Sequence, residues 1–314
     1  MGKGKSKDKG TSKGKGKDKG TTPTPDDAGS LLDATWDVDL RALLKVGPGF
    51  DLAAVDRAAT PGLDAGDGTA QRLLARIGAD TSELQERLFA HGRTGGTRSV
   101  LLVLQGLDTA GKGGIVRHVV GQVDPQGIAL RSFGVPTALE RSHHYLWRIR
   151  RALPPAGKIG VFDRSHYEDV LVVRVNELVP PQVWGRRYDE INRFEAGLVE
   201  AGTVVLKVAL MVSRDEQYRR LHERLERPDK HWKFNPGDVD TRAQWVAYQE
   251  AYQAVFTRTS TDVAPWYVVP ANDKDYARLA VSQLLYQALA DLHLDWPVPT
   301  FVVAEQLARL EATR

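Results

Sequence analysis

The chain has 314 residues, with 43 Lys and Arg against 40 Asp and Glu, and it contains no cysteine. Disulfide bonds, thiol catalysis and cysteine-bound metals are therefore excluded. No run of 18 apolar residues predicts a transmembrane helix, and no apolar segment follows the basic start as it would in a secretory signal. These features predict a cytoplasmic protein that does not associate with a membrane.

Residues 1–30 differ from the rest of the chain. The first 20 residues contain eight lysines and two aspartates, whereas the whole chain has a net charge of only +3, so the body of the protein is slightly acidic. A Lys/Gly-rich segment buries too little apolar surface to offset its ordering entropy, and we expect a disordered tail. Two interpretations stay open: contact with a polyanion, or a solvated extension that has no specific partner.

The body of the chain alternates between helical and strand patterns. Residues 31–98 predict an N-terminal helical extension, and the apolar run at residues 99–105 predicts a buried parallel strand. Further strands are predicted at residues 128–133, 158–163, 203–212 and 266–270, and helices at residues 112–122, 138–153, 182–201, 214–225 and 274–292, with one beginning near residue 164 and a long one ending near residue 258. This alternation indicates an α/β fold with a parallel sheet and right-handed crossovers over residues 99–295, followed by a C-terminal tail over 296–314.

The sequence "LLVLQGLDTAGKGG" (residues 101–114) joins the first strand to a helix through a glycine-rich loop. It matches the phosphate-binding pattern G-x-x-x-x-G-K. Backbone N–H groups in such a loop bind phosphate oxygens at a helix start, where the dipole favours anions. The expected phosphate or nucleotide contacts are Gly106, Thr109, Ala110, Gly111, Gly113 and Gly114, with Lys112 neutralising bridging oxygens.

The loop departs from the usual pattern at the metal ligand. Gly113 stands where a Ser or Thr hydroxyl normally reaches Mg²⁺, and a carboxylate, Asp108, lies inside the loop. Asp108 could cap the helix, but a carboxylate among phosphates is repelled unless a cation lies between them. We predict that Asp108 binds a metal ion together with Asp163, which ends the strand at 158–163. The alternative for Asp163 is a helix cap.

The segment that follows Asp163 contains three further candidate site residues. Arg164 is predicted to stabilise charge on the transferring phosphates, and Glu168 to contact metal or nucleoside unless it only lies at a helix start. For His166, a phosphate contact and a structural role remain equally open.

A basic run extends from Arg219 to Lys233 and leads into a proline-containing loop with Trp232 and Phe234. It is either a solvated helix face or a lid, over about residues 214–245, that excludes water from phosphoryl transfer. We favour the lid. The residues expected to contact phosphates are Arg220, Arg224, Lys230 and Lys233.

Over roughly residues 65–295 the motifs together resemble the polyphosphate kinase 2 family. The resemblance rests on "GLDTAGKGG", "HYLWR", "FDRSHYEDVLVVRV", "VWGRRYDEINRFE", "RPDKHWKF" and "TRTSTDVAPWYVVPANDK". It implies a P-loop kinase-like three-layer fold with a central parallel sheet and a helical lid. It also assigns catalytic roles to four residues: Asp108, Lys112, Asp163 and Arg164.

The resemblance implies reversible, Mg²⁺-dependent phosphoryl transfer between inorganic polyphosphate and ADP or AMP, with Mn²⁺ as an alternative metal. The expected partners are polyphosphate, ADP, AMP, ATP and GDP, without nucleic acid, and the protein is expected to be a homo-oligomer. The segment "SHYEDVLVVRV" resembles the subclass that uses both AMP and ADP.

Three positions depart from that pattern. The subclass usually has Asn where Asp163 stands, relatives tend to have Asp where His144 stands, and Val246 replaces a common acidic residue. Two other functions are alternatives to this one: an ATP-dependent nucleotide or small-molecule kinase of the same fold, and a non-catalytic protein that binds nucleotides or polyanions. The combination of Asp108, Lys112, Asp163 and Arg164 argues against the second.

Overall fold

The central feature of the fold is a parallel sheet of five strands in the order β2-β3-β1-β4-β5. The structure is a computed structural model that describes Met1, residues 39–63 and residues 69–314. The strands are β1 (Ser99–Gln105), β2 (Ile128–Ser132), β3 (Ile159–Asp163), β4 (Thr203–Met211) and β5 (Trp266–Pro270). All five lie where the apolar runs predict them, within one residue at each end.

Twelve α-helices occur in the described residues. They are α1 (Leu40–Leu44), α2 (Thr69–Arg93), α3 (Lys112–His118), α4 (Ala138–Arg141), α5 (Leu146–Arg150), α6 (Val172–Val175), α7 (Pro181–Glu200), α8 (Arg214–Glu226), α9 (Gly237–Ala243), α10 (Trp245–Thr259), α11 (Lys274–Ala290) and α12 (Val303–Glu311). Short 3₁₀ turns at Leu52–Ala54, Val120–Gln122, Pro125–Gly127, His166–Asp169 and Pro228–Lys233 complete the set.

Helices cover the sheet on both faces, which gives three layers. Every residue of β1 is buried, as a strand in the middle of a covered parallel sheet requires. Leu101 and Val103 of β1 belong to a core cluster that also contains Ile191 of α7 and Val255 of α10. The other face is covered by α11, which contacts β1, β4 and β5 and packs along α2. The predicted α/β fold class is confirmed.

The register of the sheet determines which loops meet. Leu104 of β1 pairs with Asp163 of β3, and Gln105 pairs with Ala209 of β4. The loop after β1 and the segment after β3 therefore leave the same edge of the sheet side by side, at the carboxyl ends of the strands, where ligands bind in such folds.

The prediction of one long helix over residues 138–153 is wrong, because the segment forms two short helices, α4 and α5. The side chain of Ser142 donates to the Leu139 carbonyl (2.8 Å), and the Leu146 N–H approaches Nδ1 of His144 (3.4 Å). Side-chain bonds of this kind compete with the helical ladder and end it. The helix predicted near residue 164 is likewise a 3₁₀ turn followed by α6. The helix predicted to end near residue 258 is α10, which ends at Thr259, and α9 lies in the polar stretch before it, where no helix is predicted.

The predicted tail over residues 1–30 lies outside the described residues, apart from Met1. The described parts of the predicted extension over 31–98 contain α1 and α2, and the segment predicted as a C-terminal tail contains α12. Within the described ranges, no helix combines the length and the apolar character needed to cross a bilayer.

Candidate active site

The candidate phosphate loop connects β1 to α3, and its backbone conformation requires glycine at positions 106 and 111. Gly106 has φ +149°, and a Cβ atom there would lie 2.6 Å from the carbonyl oxygen of Leu210. Gly111 has φ +117°, which also disfavours any L side chain. Gly113 and Gly114 face open space, so nothing in the described protein prevents close approach of a ligand to their backbone. The loop has the geometry that the sequence predicts.

Lys112 lies against its own loop. Its Nζ donates to the carbonyl oxygens of Gly106 (2.6 Å) and Leu107 (3.3 Å), and the residue is only 9% exposed. Burial lowers the pKa of the ammonium, although the carboxylate of Asp108 opposes this shift. The charge is thus held at the floor of the loop, where bridging phosphate oxygens are expected.

Asp108 and Arg164 form an ion pair across the site. The Arg164 Nη2 lies 2.7 Å from the Asp108 Oδ1, and both side chains are partly shielded from solvent. Arg164 has a left-handed backbone with φ +63°, which is uncommon for a residue with a side chain. Its N–H donates to the Leu104 carbonyl (3.0 Å), which fixes it beside the end of β1. The two predicted catalytic residues from separate motifs therefore meet.

These residues surround a cavity of about 630 Å³. Its wall includes the loop from Asp108 to Gly114, together with Asp163 and Arg164. The described part of the wall contains nine Lys and Arg side chains against three Asp and Glu. A cavity with this excess of positive charge suits a polyanion.

The predicted lid residues Arg224, Lys230 and Lys233 line the same cavity. Arg224 is held by Asp238 Oδ2 and by the Lys233 carbonyl, each at 3.3 Å from Nη1. Lys233 lies over the ring of Trp232, with Nζ 4.9 Å from its centroid. The segment predicted to be a lid, α8 through the start of α10, therefore brings these three basic side chains to the cavity that the glycine-rich loop lines.

Arg220 also lines the cavity, but its surroundings differ from those predicted for a phosphate ligand. Nη1 donates to the carbonyls of Thr109 (2.9 Å) and Ala110 (3.3 Å), and Nη2 to those of Ala271 (2.6 Å) and Asn272 (2.9 Å). Nε donates to Glu216 (2.6 Å). All five N–H donors of the guanidinium are used. The structure makes Arg220 a tie between α8, the loop and the end of β5.

Two further residues predicted from the sequence are not among the described residues that line the cavity. Glu168 is half-buried; its burial raises the pKa of the carboxyl, whereas the positive charges of Arg164 and Lys112 lower it. His166 is fully buried and shares a hydrogen bond with Glu195 (3.0 Å from Nε2 to Oε1), which favours its structural interpretation over a phosphate contact. Of the three departing positions, Asp163 lines the cavity, whereas His144 and Val246 are outside its described wall.

Sequence reasoning missed four basic residues of the wall: Arg117, His118, Lys274 and Arg278. The last two start α11, immediately after β5. The sequence could have indicated these residues, because the carboxyl ends of parallel strands meet at one edge of the sheet and "PANDK" (residues 270–274) leads from β5 into α11 at that edge. Burial and the nearby charge of Arg220 lower the pKa of Lys274.

The residues available for a metal ion are oxygen donors. Asp108, Asp163 and Thr109 all line the cavity, and no described residue offers a hydrogen-bond partner to the buried Thr109 hydroxyl. Among the described residues no group of three or more His, Cys, Asp or Glu side chains could hold a metal by itself. This set fits Mg²⁺, which usually takes one or two carboxylates plus substrate phosphates and water.

The parallel sheet, the glycine loop and the acidic and basic residues that follow β3 define a P-loop kinase-like protein. Residues 67–295 match the family described as polyphosphate kinase 2. The chain belongs to the polyphosphate kinase 2 family.

Its relatives share most of its length. An AMP/ADP-polyphosphate phosphotransferase from Meiothermus ruber is 46% identical over 250 residues, which cover 80% of this chain and 92% of that protein. An ADP-polyphosphate phosphotransferase from Rhodopseudomonas palustris is 40% identical, with 73% of this chain and 82% of that protein covered. The crystal structure of polyphosphate kinase 2 from Arthrobacter aurescens TC1 superposes with a TM-score of 0.86 at 50% identity, covering 88% of this chain and 98% of that one.

Proposed function

We propose that this protein transfers a phosphoryl group between inorganic polyphosphate and a nucleotide, with ADP and AMP as acceptors. The observation that carries the proposal is the charge of the cavity, whose described wall contains nine Lys and Arg side chains and three carboxylates next to the glycine-rich loop. This is more positive charge than a single nucleotide requires, and it suits a long phosphate chain. The names of the two relatives support the same donor and acceptors.

In the synthetic direction, an oxygen of the nucleotide's terminal phosphate forms a bond to the terminal phosphorus of polyphosphate. The anhydride bond behind that phosphorus breaks, and the shortened polyphosphate leaves with the bonding electrons. Because the attacking oxygen is already anionic, the step needs no strong general base. Catalysis then consists of alignment and charge neutralisation.

The roles of the residues follow from their places. Backbone N–H groups of the loop and the ammonium of Lys112 would bind the phosphates nearest the transfer. Arg164, fixed beside Asp108, would stabilise charge on the transferring group, and Arg224, Lys230 and Lys233 would hold the donor chain and exclude water. Asp108 and Asp163, with Thr109, would hold Mg²⁺ or Mn²⁺, which supplies neutralisation of phosphate charge when bound.

The rival function is ATP-dependent phosphorylation of a nucleotide or a small molecule. Activity should be measured on AMP, ADP and GDP separately, first with polyphosphate as the only donor and then with ATP as the only donor. We expect ADP and AMP to be phosphorylated from polyphosphate, and Asp108→Asn to abolish this in folded protein. Transfer from ATP to one of these nucleotides, or to a small-molecule acceptor tested beside them, without any transfer from polyphosphate, would support the rival.

A further inference from the structure

A cluster of charged and polar side chains lies in the core beneath the active site. Lys207, in the middle of β4, and Glu195, on α7, are 0% and 1% exposed, and their Nζ and Oε2 atoms are 2.6 Å apart. Nζ also donates to the Thr259 carbonyl (2.7 Å) and to the Tyr167 hydroxyl (3.0 Å), which uses all three ammonium protons. A buried ion pair of this kind is weak evidence for stability, so its other contacts deserve a functional explanation.

The cluster extends to the segment of residues 164–170, which follows β3 and begins with Arg164. Glu195 Oε1 accepts from the Tyr167 hydroxyl (2.8 Å) and pairs with His166 Nε2 (3.0 Å). Because a carboxylate oxygen accepts, the proton of this bond lies on His166 Nε2, and no described residue pairs with Nδ1. Although burial acts to raise it, the charge of Lys207 and the His166 hydrogen bond hold the pKa of Glu195 below its ordinary value. Glu195 is thus a permanent acceptor for two residues of the segment.

The other end of the segment is tied to the phosphate loop. The Ser165 hydroxyl accepts from the Gln105 amide (3.0 Å), and Gln105 immediately precedes Gly106. Between these two ties, Arg164 has its left-handed backbone and its 2.7 Å contact with Asp108. An unfavourable backbone conformation persists only where its surroundings over-determine it. Here the surroundings are Gln105 on one side and the Glu195 cluster on the other.

We propose that the buried Lys207–Glu195 pair is a positioning device, which acts through His166 and Tyr167 to hold Arg164 in the conformation that directs its guanidinium toward Asp108. This inference rests on the proposed function in so far as Arg164 acts on the transferring phosphoryl group. Neither Lys207 nor Glu195 touches the cavity, so both are positioning residues. A purely structural pair would affect the stability of the protein without changing the turnover of molecules that remain folded.

The first test removes one hydroxyl from the cluster and compares it with the same change elsewhere. Tyr167→Phe deletes the hydroxyl between Lys207 and Glu195. Tyr276→Phe deletes the hydroxyl of another buried tyrosine, which donates to the Pro61 carbonyl (3.0 Å). We expect both variants to lower the unfolding midpoint, but only Tyr167→Phe to lower kcat, by about 10- to 100-fold, with the KM for nucleotide nearly unchanged. Equal kcat in the two variants would overturn the proposal.

The second test breaks only the connection to His166. His166→Leu removes the ring N–H, whereas His166→Gln can place an amide donor near the position of Nε2. We expect a loss of kcat in the first and recovery of most of it in the second. If His166→Leu does not fold, the ratio of kcat between Tyr167→Phe and Tyr276→Phe decides.

A readout that does not depend on activity separates this proposal from the proposed function. Hydrogen exchange of the amides of residues 164–170, followed by mass spectrometry, should accelerate in Tyr167→Phe and in His166→Leu but not in Tyr276→Phe. If the wild-type protein does not use polyphosphate, the proposed function fails, yet this exchange pattern still tests the positioning. If both the exchange and kcat are unchanged in these variants, the positioning proposal is wrong, whereas the proposed function is not affected.

Discussion

Arg220 offers a quantitative test, because the sequence predicts a polyphosphate ligand and the structure shows a tie between three segments. We consider Arg220→Met, which keeps the apolar stem and deletes all five donors. The hydrogen bonds to Ala110 O and Ala271 O are buried, so in Arg220→Met these two carbonyl oxygens lose a buried donor. Glu216 keeps Arg219, whose nitrogens lie at 2.8 and 2.5 Å from it.

The expected change in the free energy of unfolding follows from these two carbonyl oxygens, which lose their hydrogen-bond donor. At about 1–3 kcal/mol for each buried acceptor left unpaired, the free energy of unfolding should fall by about 4 kcal/mol. A domain of this size loses about 2–4 °C of unfolding midpoint per kcal/mol, so we expect a fall of about 8 °C or more. Calorimetry or thermal circular dichroism in the absence of substrate would measure it.

A neighbouring arginine provides the matched control. Arg219→Met removes a side chain that is 60% exposed and whose ion pair among the described residues is the surface pair with Glu216, worth about 0.5 kcal/mol, so the midpoint should change by about 2 °C or less. If Arg220→Met instead leaves the midpoint unchanged and raises only the KM for polyphosphate, the structural interpretation is refuted. Arg220 would then be the substrate ligand that the sequence predicts.

Three other changes test separate parts of the site. Gly106→Ala should lower kcat/KM by about 100-fold in steady-state kinetics, because the new Cβ would lie 2.6 Å from the Leu210 carbonyl oxygen and displace the loop. In Gly113→Ala the new Cβ meets no protein atom within 4 Å, so the kinetics of this variant report only on the approach of the ligand. Lys233→Met should raise the KM for long polyphosphate and flatten its dependence on salt, with an unchanged unfolding midpoint; an unaltered salt dependence would count against a role for the lid in donor binding. Because burial lowers the pKa of Lys112 below the 10.5 of an exposed lysine, the ammonium loses its charge as the pH rises through that lowered value, and kcat/KM should decline there; a profile that stays flat up to 10.5 would contradict this.

The strands and the phosphate loop could be predicted because their signals are local. An apolar run such as residues 99–105 has no stable place except a covered sheet, and Gly106 and Gly111 are needed by the backbone itself. The meeting of Asp108 with Arg164 follows only once β1 and β3 are known to be neighbours in the sheet, since the two residues come shortly after these strands.

Other features depend on contacts between distant residues, which no local pattern reveals. The break between α4 and α5 results from side-chain bonds of Ser142 and His144 that compete with a helical pattern. Arg220 has the helical spacing of a lid residue, but its donors are taken by carbonyls about 50 and 110 residues away. Lys207 lies inside a strand that otherwise reads as apolar, and only the fold brings Glu195 and Tyr167 to it.

The most direct test of the account follows the phosphoryl group itself. Polyphosphate labelled with ³²P is mixed with unlabelled ADP, Mg²⁺ and the wild-type or Asp108→Asn protein, and the nucleotides are separated. We predict label in the γ-phosphate of ATP, formed by the wild-type protein and lost in Asp108→Asn. Label that appears only as inorganic phosphate, or ATP formation that survives Asp108→Asn, would contradict the claim that this loop transfers phosphoryl groups from polyphosphate to nucleotides.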